Sequence, residues 1–298
     1  MIPFFTIIIP TYNRALFIKN AIETVLNQTF KNFELVIIDD GSTDNTKNIV
    51  TNIRDIRIIY HYQENQERSA ARNKGISLAK GKFVCFLDSD DGFYNNHLET
   101  LYSLIQLNAE TQGLYYTGIE CKSEEGKVTK HPLNKNNLHP VMYIWENFIL
   151  MNAVCVSKSI LMQLNFDVKY SLWEDTHLWL RIALHYPFFE ANAYTCYTQE
   201  HKTSSVSKSL SDNSLAVANK YKNAVEDVFK LYKNELLQHI GLKKKNSYIA
   251  SKYSIFFYAA LNNRNFKNAF ELNKKIFTYN FKIHVFLLNI FKISKAII

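Results

Sequence analysis

The feature that most constrains this 298-residue chain is a set of short runs that are apolar at every position and end in a polar cluster. Ile7-Ile8-Ile9 leads into Thr11-Tyr12-Asn13-Arg14, Val36-Ile37-Ile38 into Asp39-Asp40-Gly41-Ser42, and Phe83-Val84-Cys85-Phe86-Leu87 into Asp88-Ser89-Asp90-Asp91. A strand with one wet face alternates apolar and polar residues, so unbroken runs belong to strands covered on both faces. Helical spacing occupies residues 16–26, 45–52 and 69–79, the second helix being expected to take Ser42 or Thr43 as its cap. With a further strand over 56–62, the alternation predicts an α/β fold with a mostly parallel central sheet and helices on both faces. Ligands of such sheets gather beyond the carboxyl ends of the strands, which is where the polar clusters fall.

From about residue 114 the rhythm changes. Residues 114–121 and 128–131 predict a hairpin, 153–157 a strand, 174–186 a helix and 188–199 an extended segment. Beyond a serine-rich stretch at 203–211 the pattern is helical to the end, with helices expected near 247–261, 266–279 and 284–296. The resulting division is 1–210, made of halves 1–113 and 114–210, followed by a helical region 211–298.

Charge divides in the same way. Residues 201–298 carry 17 basic and 5 acidic side chains, against 18 basic and 22 acidic in residues 1–200, so the net charge of +8 describes neither part. A basic tail alone is compatible with nucleic acid or an anionic membrane. Nucleic acid is disfavoured, because the tail holds no recognised binding module and the first two-thirds is acidic where a groove would be needed. The segment 284–296 places Val285, Leu287, Leu288, Ile290 and Phe291 between Lys282 and Lys292, a pattern suited to a helix lying in a membrane interface. A helical hairpin with a solvated lysine face is the alternative, and the two are compatible.

The four cysteines lie more than thirty residues apart, which leaves no zinc spacing and fits a reducing, cytoplasmic setting. The apolar start lacks the basic region of a secretory signal and reads as a buried strand. No window reaches the roughly 18 uninterrupted apolar residues of a spanning helix.

Three carboxylates in Asp88-Ser89-Asp90-Asp91 are costly together unless a cation or a function compensates them. Hard oxygen ligands of this kind suit Mg²⁺ or Mn²⁺ bound jointly with substrate phosphates, whereas an isolated Asp-x-Asp is more often an acidic surface loop. The surrounding sequence decides. Thr6-Ile-Ile-Ile-Pro-Thr-Tyr-Asn-Arg14, Glu34-Leu-Val-Ile-Ile-Asp-Asp-Gly-Ser-Thr-Asp44, Ala71-Arg-Asn-Lys-Gly75 and Phe86-Leu-Asp-Ser-Asp-Asp91, in that order and at that spacing, closely resemble the family 2 glycosyltransferases of GT-A fold. The resemblance is dense over 4–100, looser to about 210 and lost beyond.

That resemblance implies a Rossmann-like GT-A domain that moves a sugar, with inversion, from a nucleotide-sugar donor, UDP-linked by default, to a hydroxyl of a glycan or lipid-linked glycan. It implies that Pro10, Thr11, Tyr12, Arg14, Asp40, Arg72, Asp88 and Ser89 hold the nucleotide, Tyr12 by stacking on the base and Asp40 by a hydrogen bond to it. Asp90 is the implied ligand of Mn²⁺ or Mg²⁺, with Asp88 and His201 as further candidates. The late segment of His201, Ser204, Ser205 and Ser207 is looser than the family's, and His201 is equally a solvated loop histidine. Trp173-Glu-Asp-Thr-His177 resembles the family's Glu-Asp motif opening a helix. Asp175 is then the base that takes the acceptor proton, and Glu174 an orienting neighbour or acceptor contact. Without the upstream motifs, both carboxylates would read as complements to a helix N-terminus.

Glu67-Arg68 stands where many members have glycine before the Ala-Arg-Asn motif, and is either a pair of loop charges or a contact to the donor sugar. The rival functions are a sugar-nucleotide-binding or scaffold protein without chemistry, and a nucleotidyltransferase, whose Gly-rich phosphate loop is not visible here. The implied location is cytoplasmic, peripheral at the inner face of the cell membrane.

Overall fold

The computed structural model describes residues 2–134, 137–201 and 214–297, which form two compact units, 1–200 and 201–298. In the first unit four parallel strands, β1 (Phe5–Thr11), β2 (Phe33–Asp40), β3 (Ile58–Gln63) and β4 (Phe83–Phe86), stand in the order β3-β2-β1-β4. Helices α1 (Ile18–Leu26), α2 (Thr46–Asn52) and α3 (Glu67–Leu78) connect them. The sheet continues through β8 (Val154–Ser157), antiparallel to β4, then β6 (Leu114–Lys122), β9 (Phe188–Gln199) and the short β5 (Gly92–Phe93). β6 and β9 are parallel to each other, and β7 (Val128–Lys130) completes the expected hairpin with β6.

The unbroken apolar runs are explained by burial on two sides. Ile7, Ile9, Leu35, Ile37 and Cys85 face a core closed by Ile22 and Val25 of α1, Val50 of α2, and Leu98 and Leu101 of α4 (His97–Leu107). Val36 and Ile38 face the other way, onto Ala71 of α3. Ile8 also meets α3: a Cβ on Gly75 would stand 2.5 Å from Ile8 Cγ2, so glycine lets the helix lie directly on the strand. Further along this side Phe86 meets Phe166 and Trp179 edge-on or tilted, which seats α7 (Glu174–Ala183). α5 (Pro140–Asn147) and α6 (Lys158–Leu161) complete the unit.

One detail differs from the sequence expectation. Neither Ser42 nor Thr43 caps α2, whose N-cap residue is Asn45. Ser42 Oγ instead accepts from Asn13 N at 2.9 Å, fastening the loop after β2 to the loop after β1, while Asp44 accepts from Thr46 N and Oγ1 at the start of α2. Pro10, without an N–H, follows the last β1–β4 register pair, Ile8↔Phe86, where the strand has lost that neighbour.

The second unit is helical: α8 (Ser214–Leu231), α9 (Lys233–His239), α10 (Gly241–Asn262), α11 (Phe266–Tyr279) and α12 (Ile283–Ile297). The polar break at 262–265 ends α10, with Arg264 in the left-handed region, and starts α11, whose cap Asn265 accepts from Asn268 N. α12 packs on α11 through a buried amide pair, Asn289 Nδ2 donating to Asn273 Oδ1 and Asn273 Nδ2 donating to the Phe286 carbonyl. That side is polar at its centre, whereas Leu287, Leu288 and Phe291 are each more than half exposed. Among the described residues no helix is long and apolar enough to cross a membrane.

Candidate active site

The polar clusters meet at the carboxyl ends of β1, β2 and β4. Asn13 turns the chain in the left-handed region, and its Oδ1 accepts from Thr43 N and Asp44 N, locking the β1 and β2 loops together. Tyr12 is left half-exposed beside them, Pro10 is partly buried, and Thr11 is buried with no hydrogen-bond partner for its hydroxyl among the described residues. Asp40 is buried and its Oδ1 accepts from Gln63 Nε2 and Gln66 N, while Asp39 accepts from Ser42 N and Tyr60 Oη.

The acidic loop sorts its three carboxylates by environment. Asp91 is buried, accepts from Asn152 Nδ2 and Gln199 N, and is pushed well above the usual carboxylate range by burial and by the charges of Asp88 and Asp90. It is a structural anchor. Asp88 N donates to Asn152 Oδ1, and its carboxylate accepts from Arg72 Nη2 at 2.8 Å. Burial pushes the Asp88 carboxyl up, but Arg72, Arg68 and Arg14 outweigh it and hold it below the usual range. Asp90 pairs with Arg14 at 3.6 Å, and Ser89 between them is buried.

Arg72 ties this loop to the start of α7. Buried to 2% exposure, it donates through Nη2 to Asp88 and through Nη1 to Glu174 Oε1, each at 2.8 Å, with Phe166 beneath the guanidinium. Glu174 is likewise buried; Trp173 before it adopts φ +66°, which turns the chain sharply into the helix. Asp175 is partly exposed beside it. Burial and the neighbouring Glu174 raise its carboxyl to about 6, against the opposing Thr176 N–H and Arg72.

The structure thus brings together, around one arginine, residues 16 and 102 positions apart. Among the described residues no group of three His, Cys, Asp or Glu side chains can hold a metal by itself. Asp88 and Asp90 supply the one or two carboxylates with which Mg²⁺ or Mn²⁺ is usually held alongside substrate phosphates, so the donor set fits an ion that arrives with a diphosphate. His201 is the first residue of the second unit, and Ser204, Ser205 and Ser207 lie outside the described residues. Sequence reasoning missed Asn152, which fastens the acidic loop from both ends, since one asparagine 61 residues away carries no local signal.

The sheet order, the acidic loop after β4 and the carboxylate pair opening α7 define a glycosyltransferase of GT-A fold. The profile described as glycosyl transferase family 2 matches residues 6–163, more than half of the chain, and the chain belongs to that family. A Campylobacter jejuni protein named GalNAc(5)-diNAcBac-PP-undecaprenol beta-1,3-glucosyltransferase is 28% identical over 90% of this chain and 86% of its own length. An uncharacterised Rickettsia felis glycosyltransferase is 36% identical over 60% of the chain, which spans only 30% of that relative's length. Among solved structures, S. aureus TarS 1-349 in complex with UDP-GlcNAc superposes with a TM-score of 0.61 at 17% identity, covering 98% of this chain and 90% of the other. The Pyrobaculum calidifontis mannosyltransferase PcManGT, in complex with GDP-Man and Mn²⁺, gives 0.59 at 17% identity, covering 98% and 87%.

Proposed function

We propose that this chain transfers a sugar, with inversion, from a nucleotide-sugar donor to a hydroxyl of a lipid-linked glycan, with Asp175 as the base. The observation that carries the reading is the Arg72 bridge, which joins a loop suited to a diphosphate with a partly exposed carboxylate whose proton affinity is raised to about 6. A base poised near the working pH both accepts a proton readily and is mostly ionised before it does so.

In this reading Tyr12 stacks on the nucleobase, which Pro10, Thr11 and Asp40 surround; Arg14, Asp88 and Ser89 border the ribose and diphosphate, and Asp90, with Asp88, holds Mn²⁺ or Mg²⁺. The ion supplies charge neutralisation at the diphosphate. Residues 1–113 serve the nucleotide and 114–210 the acceptor. Glu174, held by Arg72, fixes the start of α7 so that Asp175 points at the acceptor hydroxyl, takes its proton and lets the acceptor oxygen attack the anomeric carbon. The sugar–phosphate bond breaks with its electron pair on the departing diphosphate.

UDP is the default donor nucleotide, in keeping with the UDP-GlcNAc held by TarS, although PcManGT holds GDP-Man. The undecaprenol-linked acceptor in the Campylobacter relative's name supports a lipid-linked glycan. The second unit's basic charge and the exposed Leu287, Leu288 and Phe291 support peripheral attachment at the inner, anionic face of the cell membrane. The test is a thermal-shift screen of nucleotide sugars with Mn²⁺, followed by transfer assays with the donor that stabilises. Asp90→Asn and Asp175→Asn should each abolish transfer while the fold survives; turnover retained by Asp175→Asn rejects the base assignment.

A further inference from the structure

Arg72 is the arginine of the family motif, but its geometry commits it elsewhere. Its two terminal nitrogens are given to Asp88 and Glu174, and the side chain is only 2% exposed. Its Nε–H is enclosed too, buried without a partner among the described residues, and turning the group toward a ligand would loosen its hold on the buried Glu174. One helical turn earlier on the same face of α3 stands Arg68. Its Nη1 lies 4.0 Å from Glu174 Oε1, the same oxygen that Arg72 Nη1 takes, and its side chain is 34% exposed. It belongs to the group of arginines whose charge acts on Asp88. Glu67 immediately before it holds the left-handed φ of +71°, a conformation that disfavours a side chain, so the chain bears a strained turn where it delivers Arg68.

We infer that Arg68 is a donor contact: its guanidinium binds the diphosphate at the end bearing the sugar, while Arg72 is a positioning residue for Asp88 and Glu174. This rests on the donor-site reading above. The assignment to the sugar end follows from position, because Arg68 lies 4.0 Å from Glu174, next to the proposed base, and its charge acts on Asp88, whereas Tyr12 and Asp40 follow β1 and β2 at the proposed base end. When the bond between the anomeric carbon and the phosphate oxygen breaks, the electron pair stays on that oxygen. A planar guanidinium facing it stabilises the charge as it develops.

The experiment is calorimetric titration of the full chain with Mn²⁺ and UDP, GDP, CDP or dTDP, then with the monophosphate of whichever base binds. Arg68→Ala should weaken the diphosphate about tenfold or more and leave the monophosphate within about twofold, as expected for loss of one charge-assisted contact. Arg68→Lys should recover part of the loss, and the melting temperature of each variant reports folding separately. If wild type binds a diphosphate and Arg68→Ala binds it equally, the inference falls while the donor-site reading stands. Equal losses for diphosphate and monophosphate would mean a merely structural role and overturn it as well. If wild type binds no diphosphate in this panel, the donor-site reading fails and the inference falls with it.

Discussion

Replacing Arg72 by methionine keeps much of the side-chain volume and removes the cation shared by Asp88 and Glu174. Glu174, whose side chain is 7% exposed, then keeps only the longer 4.0 Å contact with Arg68. Removing one partner of a buried ion pair costs about 3–5 kcal/mol, because the remaining charge stays desolvated. The Glu174 arm carries most of this, since Asp88 is 35% exposed and water screens its share. For a unit of this size the loss corresponds to a fall in Tm of roughly 6–20 °C. The pH dependence separates this loss from a packing defect. The Asp88 carboxyl is held below 3.8 in the folded chain, so the stabilisation it draws from Arg72 is complete above that value and disappears as pH falls through the folded one. The gap between wild type and Arg72→Met should therefore narrow below about pH 4. Urea unfolding followed by tryptophan fluorescence measures it cleanly, because Trp145, Trp173 and Trp179 all lie in the first unit. A gap under about 1 kcal/mol at neutral pH would refute the reasoning.

Three other outcomes follow from the geometry. With Asp175 raised from 3.8 to about 6, its ionisation in the folded chain costs stability as pH climbs between those values, so Asp175→Asn should raise Tm at neutral pH while abolishing transfer; wild-type kcat/KM should rise with pH through about 6. A variant that melts lower at neutral pH would contradict the environment assigned to this residue. Glu67→Gly should gain about 1 kcal/mol, read as a higher urea midpoint, because an exposed glutamate at φ +71° carries strain that glycine does not. Leu287→Ser/Leu288→Ser/Phe291→Ser should reduce co-sedimentation with vesicles rich in anionic lipid without lowering Tm, and equal partition of the triple variant would sink the interfacial role of α12.

Strands β1, β2 and β4 were legible because burial on both faces leaves an unmistakable mark: Ile7-Ile8-Ile9 and Val36-Ile37-Ile38 need no partner sequence to be read. The hairpin of β6 and β7, the extended β9 and the three last helices also showed in their periodicity. What stayed hidden is what depends on distant partners. Asn152 reads as an ordinary polar residue until the fold sets its amide between Asp88 N and Asp91. The expected cap of α2 failed because Ser42 found Asn13 on a neighbouring loop. Arg72 and Arg68 were both visible as charges, but which is buried and which stays partly exposed is decided only where they meet Glu174 of α7, a hundred residues further on.

The ties that complete the site also set an order of events during synthesis. The carboxylate of Asp91 waits for the backbone of Gln199, and Arg72 waits for Glu174, so the acidic loop cannot take its final form until the last strand of the first unit has left the ribosome. The second unit, residues 201–298, follows. At roughly 10 residues per second its translation occupies about 10 s, longer than most single domains need to fold. The first unit therefore has time to close its carboxylates onto their own arginines before the second unit is complete.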